Sequence, residues 1–245
     1  LHTALWTSSP FCFKTIRKVR DYKMYEFDSR IRYSEVDSNQ NLTVLGLIDY
    51  FQDCSTFQSE DLGIGVDYLN EHQLGWVVVS YHVTIERLPR LGEHICIQTF
   101  PYNLKGMFGS RNYAMLDDSG SQVACADSLW VLVDLTTGKP TRIPEAIGSR
   151  YELGSPFAME KTNRKILLPE SAVCEEPVPV QRYFLDTNHH MNNGKYIMVA
   201  QSYLPPDFPV ASFRVEYRNQ AHLGDLLHPY VASYPDRVII SLCNE

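Results

Sequence analysis

The feature that most constrains this chain is an internal echo. Tyr33-Ser34-Glu35-Val36-Asp37-Ser38-Asn39-Gln40-Asn41-Leu42 returns 149 positions later as Arg182-Tyr183-Phe184-Leu185-Asp186-Thr187-Asn188-His189-His190-Met191, with Asp and Asn in register. Each copy leads into helical spacing of apolar residues, Val44 to Gln58 in the first half and Lys195 to Tyr203 in the second. A strand signal comes next in both: Ser80 to Ile85 corresponds to Ser212 to Tyr217. Leu91-Gly92-Glu93 then matches Leu223-Gly224-Asp225 at an offset of 132, each before another β-rich run. The offset falls because the first helix and its loop are longer, so the sequence reads as a duplicated domain with one connection of variable length.

Each copy predicts an α+β unit, one long helix covering an antiparallel sheet. The first half adds alternating segments at Phe108 to Leu116 and Ser121 to Leu135 around an Asp117-Asp118-Ser119-Gly120 turn. The second half reaches Val238 to Leu242 without the matching last strand, which predicts an exposed sheet edge. The expected division is an N-terminal unit over 24–135, a Pro-rich linker with room for a short helix over 136–180, and a C-terminal unit over 181–245. Leu1 to Phe13 match the pattern of the remaining chain poorly and are expected to be a flexible leader.

Composition narrows the function classes. A formal charge of -7 and a pI near 5.6 argue against nucleic acid as the main partner, since neutralising phosphate needs a dominant basic surface. The six cysteines show no C-x-x-C pair and no zinc spacing, so they read as reduced thiols, and no metal site is expected. No apolar run reaches the roughly 18 residues of a membrane helix and no signal-peptide order is present, which points to the cytoplasm.

The chemistry-bearing residues cluster in the second copy. If the segment is extended, Asp186, Asn188 and His190 at i, i+2 and i+4 share one side, and His190 is the group whose ordinary pKa suits proton transfer near neutrality. Asn192 and Asn193 suit the start of the next helix, whose free N–H groups can hold a carbonyl oxygen. A D-x-N-x-H string alone equally describes a capped turn with a surface histidine. The repeat favours function, because the first copy has Asn41 where the second has His190.

Asp186-Thr187-Asn188-His189-His190-Met191-Asn192-Asn193-Gly194-Lys195-Tyr196, followed by Val215-Glu216-Tyr217-Arg218, resembles the acyl-ACP thioesterases of bacteria and plant plastids, from about Met24 onward. The resemblance implies a double hot-dog fold, hydrolysis of fatty acyl-acyl carrier protein, no cofactor, and a bacterial cytoplasmic setting. It carries catalytic roles onto Asp186, Asn188 and His190. A fourth family position, usually glutamate, falls on Gln220, and the cysteine that often follows it is Ala221, so neither a Cys-His pair nor a sole glutamate base is present. Water positioned by His190 and Gln220, with His190 as base, is the scheme that remains. The acyl chain is expected in the N-terminal half, along Leu47, Phe51 and Trp76, with Asn193 at the substrate.

Glu216 is read as the partner of an arginine, and Cys54 as core packing. A basic surface for the acidic carrier protein could draw on Arg142, Arg150, Lys161, Arg164 and Lys165, and on Lys14, Arg17, Lys18, Arg20 and Lys23. Two alternatives stay open, an acyl-CoA thioesterase and an acyl-binding protein that does not cleave. A homodimer is one assembly left open.

Overall fold

A computed structural model describes residues 2–9, 24–159, 165–186 and 188–244. The elements begin with strand β1 (His2–Thr7), β2 (Tyr25–Arg30) and the 18-residue helix α1 (Val44–Asp61). Helix α2 (Val66–Glu71) leads to four long strands, β3 (Leu74–Ile85), β4 (His94–Lys105), β5 (Phe108–Asp117) and β6 (Gln122–Asp134). Next come the short elements β7 (Lys139–Pro140), α3 (Glu145–Gly148), β8 (Val173–Cys174) and β9 (Val178–Pro179). Helix α4 (Asn193–Gln201) precedes β10 (Ser212–Glu216), β11 (Leu226–Ser233) and β12 (Arg237–Asn244).

The chain forms two compact units. One comprises the described residues of Cys12–Val79 and Ile85–Glu160; the other comprises those of Leu1–Phe11, Ser80–Thr84 and Lys161–Glu245.

In the larger unit β2, β4, β5 and β6 pair antiparallel, in registers that set Phe27 opposite Ile97 and Tyr113 opposite Ala126. Asp117 closes the β5–β6 hairpin by accepting the N–H groups of Ser119 and Ser121, each at 3.0 Å, and Gly120 takes the positive φ the turn needs. Helix α1 starts where Thr43 accepts the Gly46 N–H at 3.0 Å. Its buried stripe of Val44, Leu47, Ile48, Phe51 and Cys54 follows helical spacing, and the helix packs on β4. Each of its Val, Leu, Ile and Phe side chains contributes roughly 1.5–3 kcal/mol on leaving water. Phe51 stacks on Tyr113 at 5.2 Å, and the Cys54 thiol donates to the Ile97 carbonyl.

In the smaller unit Ser80–Thr84 of β3 pairs with β10, β10 with β1, β1 with β12, and β12 with β11, all antiparallel. Strands β8 and β9, from the Pro-rich stretch, both pair with β11. The leader expectation fails at His2–Thr7: these residues are an internal strand, and Trp6 is fully buried, stacked on Phe213 at 4.8 Å. Of the same expectation, Leu1 and Pro10 to Phe13 lie outside the described residues.

Strand order explains why so short a segment is held. The larger unit runs β2-β4-β5-β6-β3 and the smaller runs β8-β11-β12-β1-β10, so β1 occupies the slot that β6 fills in its counterpart. The expected exposed edge on β12 is therefore covered by β1. Both strands carry a Leu-Trp pair, Leu129-Trp130 and Leu5-Trp6.

Candidate active site

The Asp186 segment is a closed loop, which corrects the expectation of an extended trio. The Asp186 carboxylate accepts the N–H of Asn188 at 2.8 Å and of His190 at 3.3 Å. The Asp186 N–H donates to the His190 carbonyl at 2.8 Å, and the His189 N–H donates to the Asp186 carbonyl at 3.1 Å. His189 turns the chain at φ 62°, and Leu185 bridges Met191. A short acidic side chain competes for local N–H groups, and here it wins over strand geometry. Asp186 thus fixes His190 through the backbone. Asn188 and His189 are exposed, and His190 is half-buried.

Helix α4 begins at once. Asn192 caps it by accepting the Gly194 N–H at 2.8 Å, and the Lys195 N–H donates to the Asn192 carbonyl at 2.9 Å. The segment after β10 is tied to this start by three bonds. Met191 N–H donates to the Ala221 carbonyl at 2.9 Å, Ala221 N–H donates to the Tyr196 hydroxyl at 2.9 Å, and Tyr217 donates to the Asn193 carbonyl at 3.1 Å. Burial, first of all, pushes the Tyr196 hydroxyl up to about 12 and the Tyr217 hydroxyl well above its ordinary value, so both remain hydroxyls at neutral pH. The His2 ring of β1 lies 4.0 Å from that of Tyr196.

These ties bring Gln220 and His222 beside the loop. Gln220 is exposed and its carbonyl accepts from the Asn244 amide at 3.4 Å. His222 escaped the sequence reading: its ring stands edge-on to His190, 4.8 Å between centroids at 68°. The signal was present, since His222 lies two residues past Gln220 on the segment the resemblance had marked.

His190 sits below the ordinary histidine pKa, mainly through burial, then through His222, with Asp186 opposing and His189 adding to the fall. Glu216 is buried and pairs with Arg218 at 3.0 Å while accepting the Ile166 N–H at 3.3 Å, a structural arrangement.

The other sequence candidates fall elsewhere. Leu47 and Phe51 belong to the buried face of α1, whereas half-buried Trp76 packs beside Ile64, Ile147 and Tyr151. Of the basic residues, Arg142, Arg150 and Lys165 are exposed; Lys14, Arg17, Lys18, Arg20, Lys23, Lys161 and Arg164 lie outside the described residues. Among the described residues, Cys54, Cys96, Cys125, Cys174 and Cys243 are free thiols and no three His, Cys, Asp or Glu converge on a metal position. No helix there is long and apolar enough to cross a membrane.

Two helix-on-sheet units of matching strand order, α+β throughout, define a double hot-dog protein with imidazoles in its second loop. Residues 22–151 match the acyl-ACP thioesterase N-terminal domain, and residues 169–236 match the C-terminal domain of the same family. The chain belongs to the acyl-ACP thioesterase family. It is 23% identical over 235 residues to the chloroplastic palmitoyl-acyl carrier protein thioesterase of Cuphea hookeriana, covering 89% of this chain and 56% of that protein. It is 24% identical over 217 residues to the chloroplastic dodecanoyl-[acyl-carrier-protein] hydrolase of Cinnamomum camphora, covering 80% and 56%. The chain thus spans just over half the length of these curated relatives. Among solved structures, the acyl-ACP thioesterase from Bacteroides thetaiotaomicron superposes with a TM-score of 0.77 at 23% identity, over 91% of this chain and 98% of that one. The 12:0-ACP thioesterase from Umbellularia californica gives 0.76 at 20% identity, over 91% and 98%.

Proposed function

We propose that this protein hydrolyses the thioester of a fatty acyl group carried on acyl carrier protein, releasing free fatty acid. The observation that carries the reading is a half-buried, neutral-leaning His190 held by the Asp186 loop in a chain whose two halves match the two domains of this family. The N-terminal hot-dog (24–135) takes the acyl chain, with Leu47, Phe51 and Trp76 as the apolar residues assigned to it. The C-terminal hot-dog (181–245) cleaves, and 136–180 connects them. A bacterial cytoplasm is the setting we assign; the two curated plant relatives are chloroplastic, and the similar solved structure from Bacteroides thetaiotaomicron is bacterial.

In the first step the water oxygen bonds to the thioester carbonyl carbon while His190 accepts the water proton. Gln220 holds that water, since an amide accepts one hydrogen bond and donates another but takes no proton near neutrality. The carbonyl π pair moves to oxygen, where donors aimed at the developing charge lower the barrier. The Gly194 and Lys195 N–H groups are already engaged, so the Asn193 N–H and the Asn188 amide are assigned to this oxyanion. Collapse breaks the C–S bond, the sulfur leaves with the proton from imidazolium, and the acid is released.

Incubating the protein with acyl-ACP and acyl-CoA of several chain lengths, and following free thiol, tests this directly. Thiol release faster from acyl-ACP is expected. Faster release from acyl-CoA changes the carrier, and no release from either leaves an acyl-binding protein, the reading that the neutral Gln220 favours. Replacing Gln220 with Ala is expected to lower turnover about 10-fold, within the range for a group that positions a reactant; full activity removes Gln220 from the site.

A further inference from the structure

The proposed mechanism uses one imidazole, and the structure holds two side by side. His222 is placed by backbone contacts that do not involve its ring. Its N–H donates to the Asp225 carboxylate at 2.8 Å, and the Asp225 N–H returns a bond to its carbonyl at 3.1 Å. Ala221, just before it, is held on both sides by Met191 and Tyr196. The backbone beside both rings is therefore fixed, which brings His222 next to His190, and the two rings stand edge-on at 4.8 Å.

The larger unit shows that this turn does not need a histidine. There Arg90 occupies the equivalent place, its N–H donating to the Glu93 carboxylate at 2.8 Å and its carbonyl accepting the Glu93 N–H at 3.0 Å. The same backbone serves an arginine beside Asn41, and a histidine beside His190.

We propose that His222 is a positioning residue that acts through His190, holding the His190 ring in place and keeping it in the neutral, proton-accepting form. The idea rests on His190 being the base. Two imidazolium rings at this distance repel, so His222 disfavours protonation of His190. The other groups facing His190 are Asp186, which favours its protonation, and His189, which opposes it; Asp225 faces the backbone of His222. A carboxylate at position 220 would add to the Asp186 effect. Gln220 and His222 therefore act in the same direction: one omits a negative charge, and the other penalises a positive one.

The test is to titrate the His190 ring by NMR and to measure kcat/KM against pH, in the parent protein, in His222→Ala and in His222→Arg. The arginine is the residue tolerated at the matching turn, which guards against a folding failure. In His222→Ala the His190 midpoint and the acid limb should both rise, by about half to one pH unit for a lost neighbouring charge, and kcat/KM below the limb should fall about 3- to 10-fold. In His222→Arg the permanent charge should move both downward. Unchanged His190 midpoints in both variants overturn the proposal. A midpoint that moves while the rate profile stays fixed upholds the coupling and overturns His190 as the base.

Discussion

The loop Asp37–Leu42 and the loop Asp186–Met191 are built alike and equipped differently. In the first, the Asp37 carboxylate accepts the N–H groups of Asn39 and Asn41 at 2.9 Å each, the Asp37 N–H donates to the Asn41 carbonyl at 2.9 Å, and Gln40 turns at φ 64°. Leu42 N–H then donates to the Pro89 carbonyl at 2.8 Å, as Met191 N–H does to Ala221 at 2.9 Å. Gly92 and Gly224 take nearly the same positive φ, 84° and 87°. What differs is the set of side chains on this shared frame. Asn41, Leu88 and Arg90 stand where the second unit has His190, Gln220 and His222. Even the supporting pair changes as a pair: Leu47 and Pro89 replace Tyr196 and Ala221, so the N–H that Tyr196 accepts does not exist in the first copy. The lesson is that Asp37 and Asp186, retained in both copies, close the loop, whereas the residues we assign to proton transfer and to water positioning stand where the copies diverge.

The comparison breaks first at the diverged histidine. Replacing His190 with Ala should lower turnover by about 10²- to 10⁴-fold, the usual cost of losing a general base, with the melting temperature nearly unchanged. Asn41→Ala, its counterpart, should alter turnover less than threefold. Equal losses at the two positions would show that both loops serve catalysis.

A large effect on stability is expected at β1. Trp6→Ala removes a fully buried indole and should cost about 3–5 kcal/mol, read as a fall in thermal midpoint. Trp130→Ala, in the matching strand of the larger unit, should cost less, because that side chain is only half-buried. If Trp130 proves the costlier loss, β1 does not hold the slot that β6 holds.

Tyr196→Phe sharpens the comparison at the supporting pair. It strands the Ala221 N–H and should cost about 1–3 kcal/mol. Because the same bond holds Gln220 and His222 in place, kcat should fall while KM changes little. A stability loss with unaltered kcat would separate the tie from the site.

The smallest effect concerns acid. Burial lowers His2 to about 3 and His82 to about 4, and both belong to the smaller unit. Between the ordinary histidine pKa of about 6.5 and these values, the unfolded chain binds more protons than the folded one, so stability falls as pH drops through that window. The smaller unit should therefore lose hydrogen-exchange protection before the larger one on acidification, and His2→Phe should flatten the slope. Loss in the opposite order would contradict the assignment.

The sequence by itself determined the duplication, both helices, the β5–β6 hairpin and the identity of His190 and Gln220 as candidates. All are written in local spacing or in the echo between halves, where like residues recur at matched distances. It expected an extended trio where the loop is closed, because a side chain that caps its own loop and one that aims at a substrate read the same from spacing alone. Only the tertiary structure decided the place of His2–Thr7, a six-residue segment whose strand character comes from its neighbours β10 and β12. Only the fold, too, could set His222 against His190, since 32 residues separate them and what joins them is hydrogen bonding between distant backbone segments. Local patterns announce local structure; a contact made through a partner strand or a shared backbone bond has no spacing by which to announce itself.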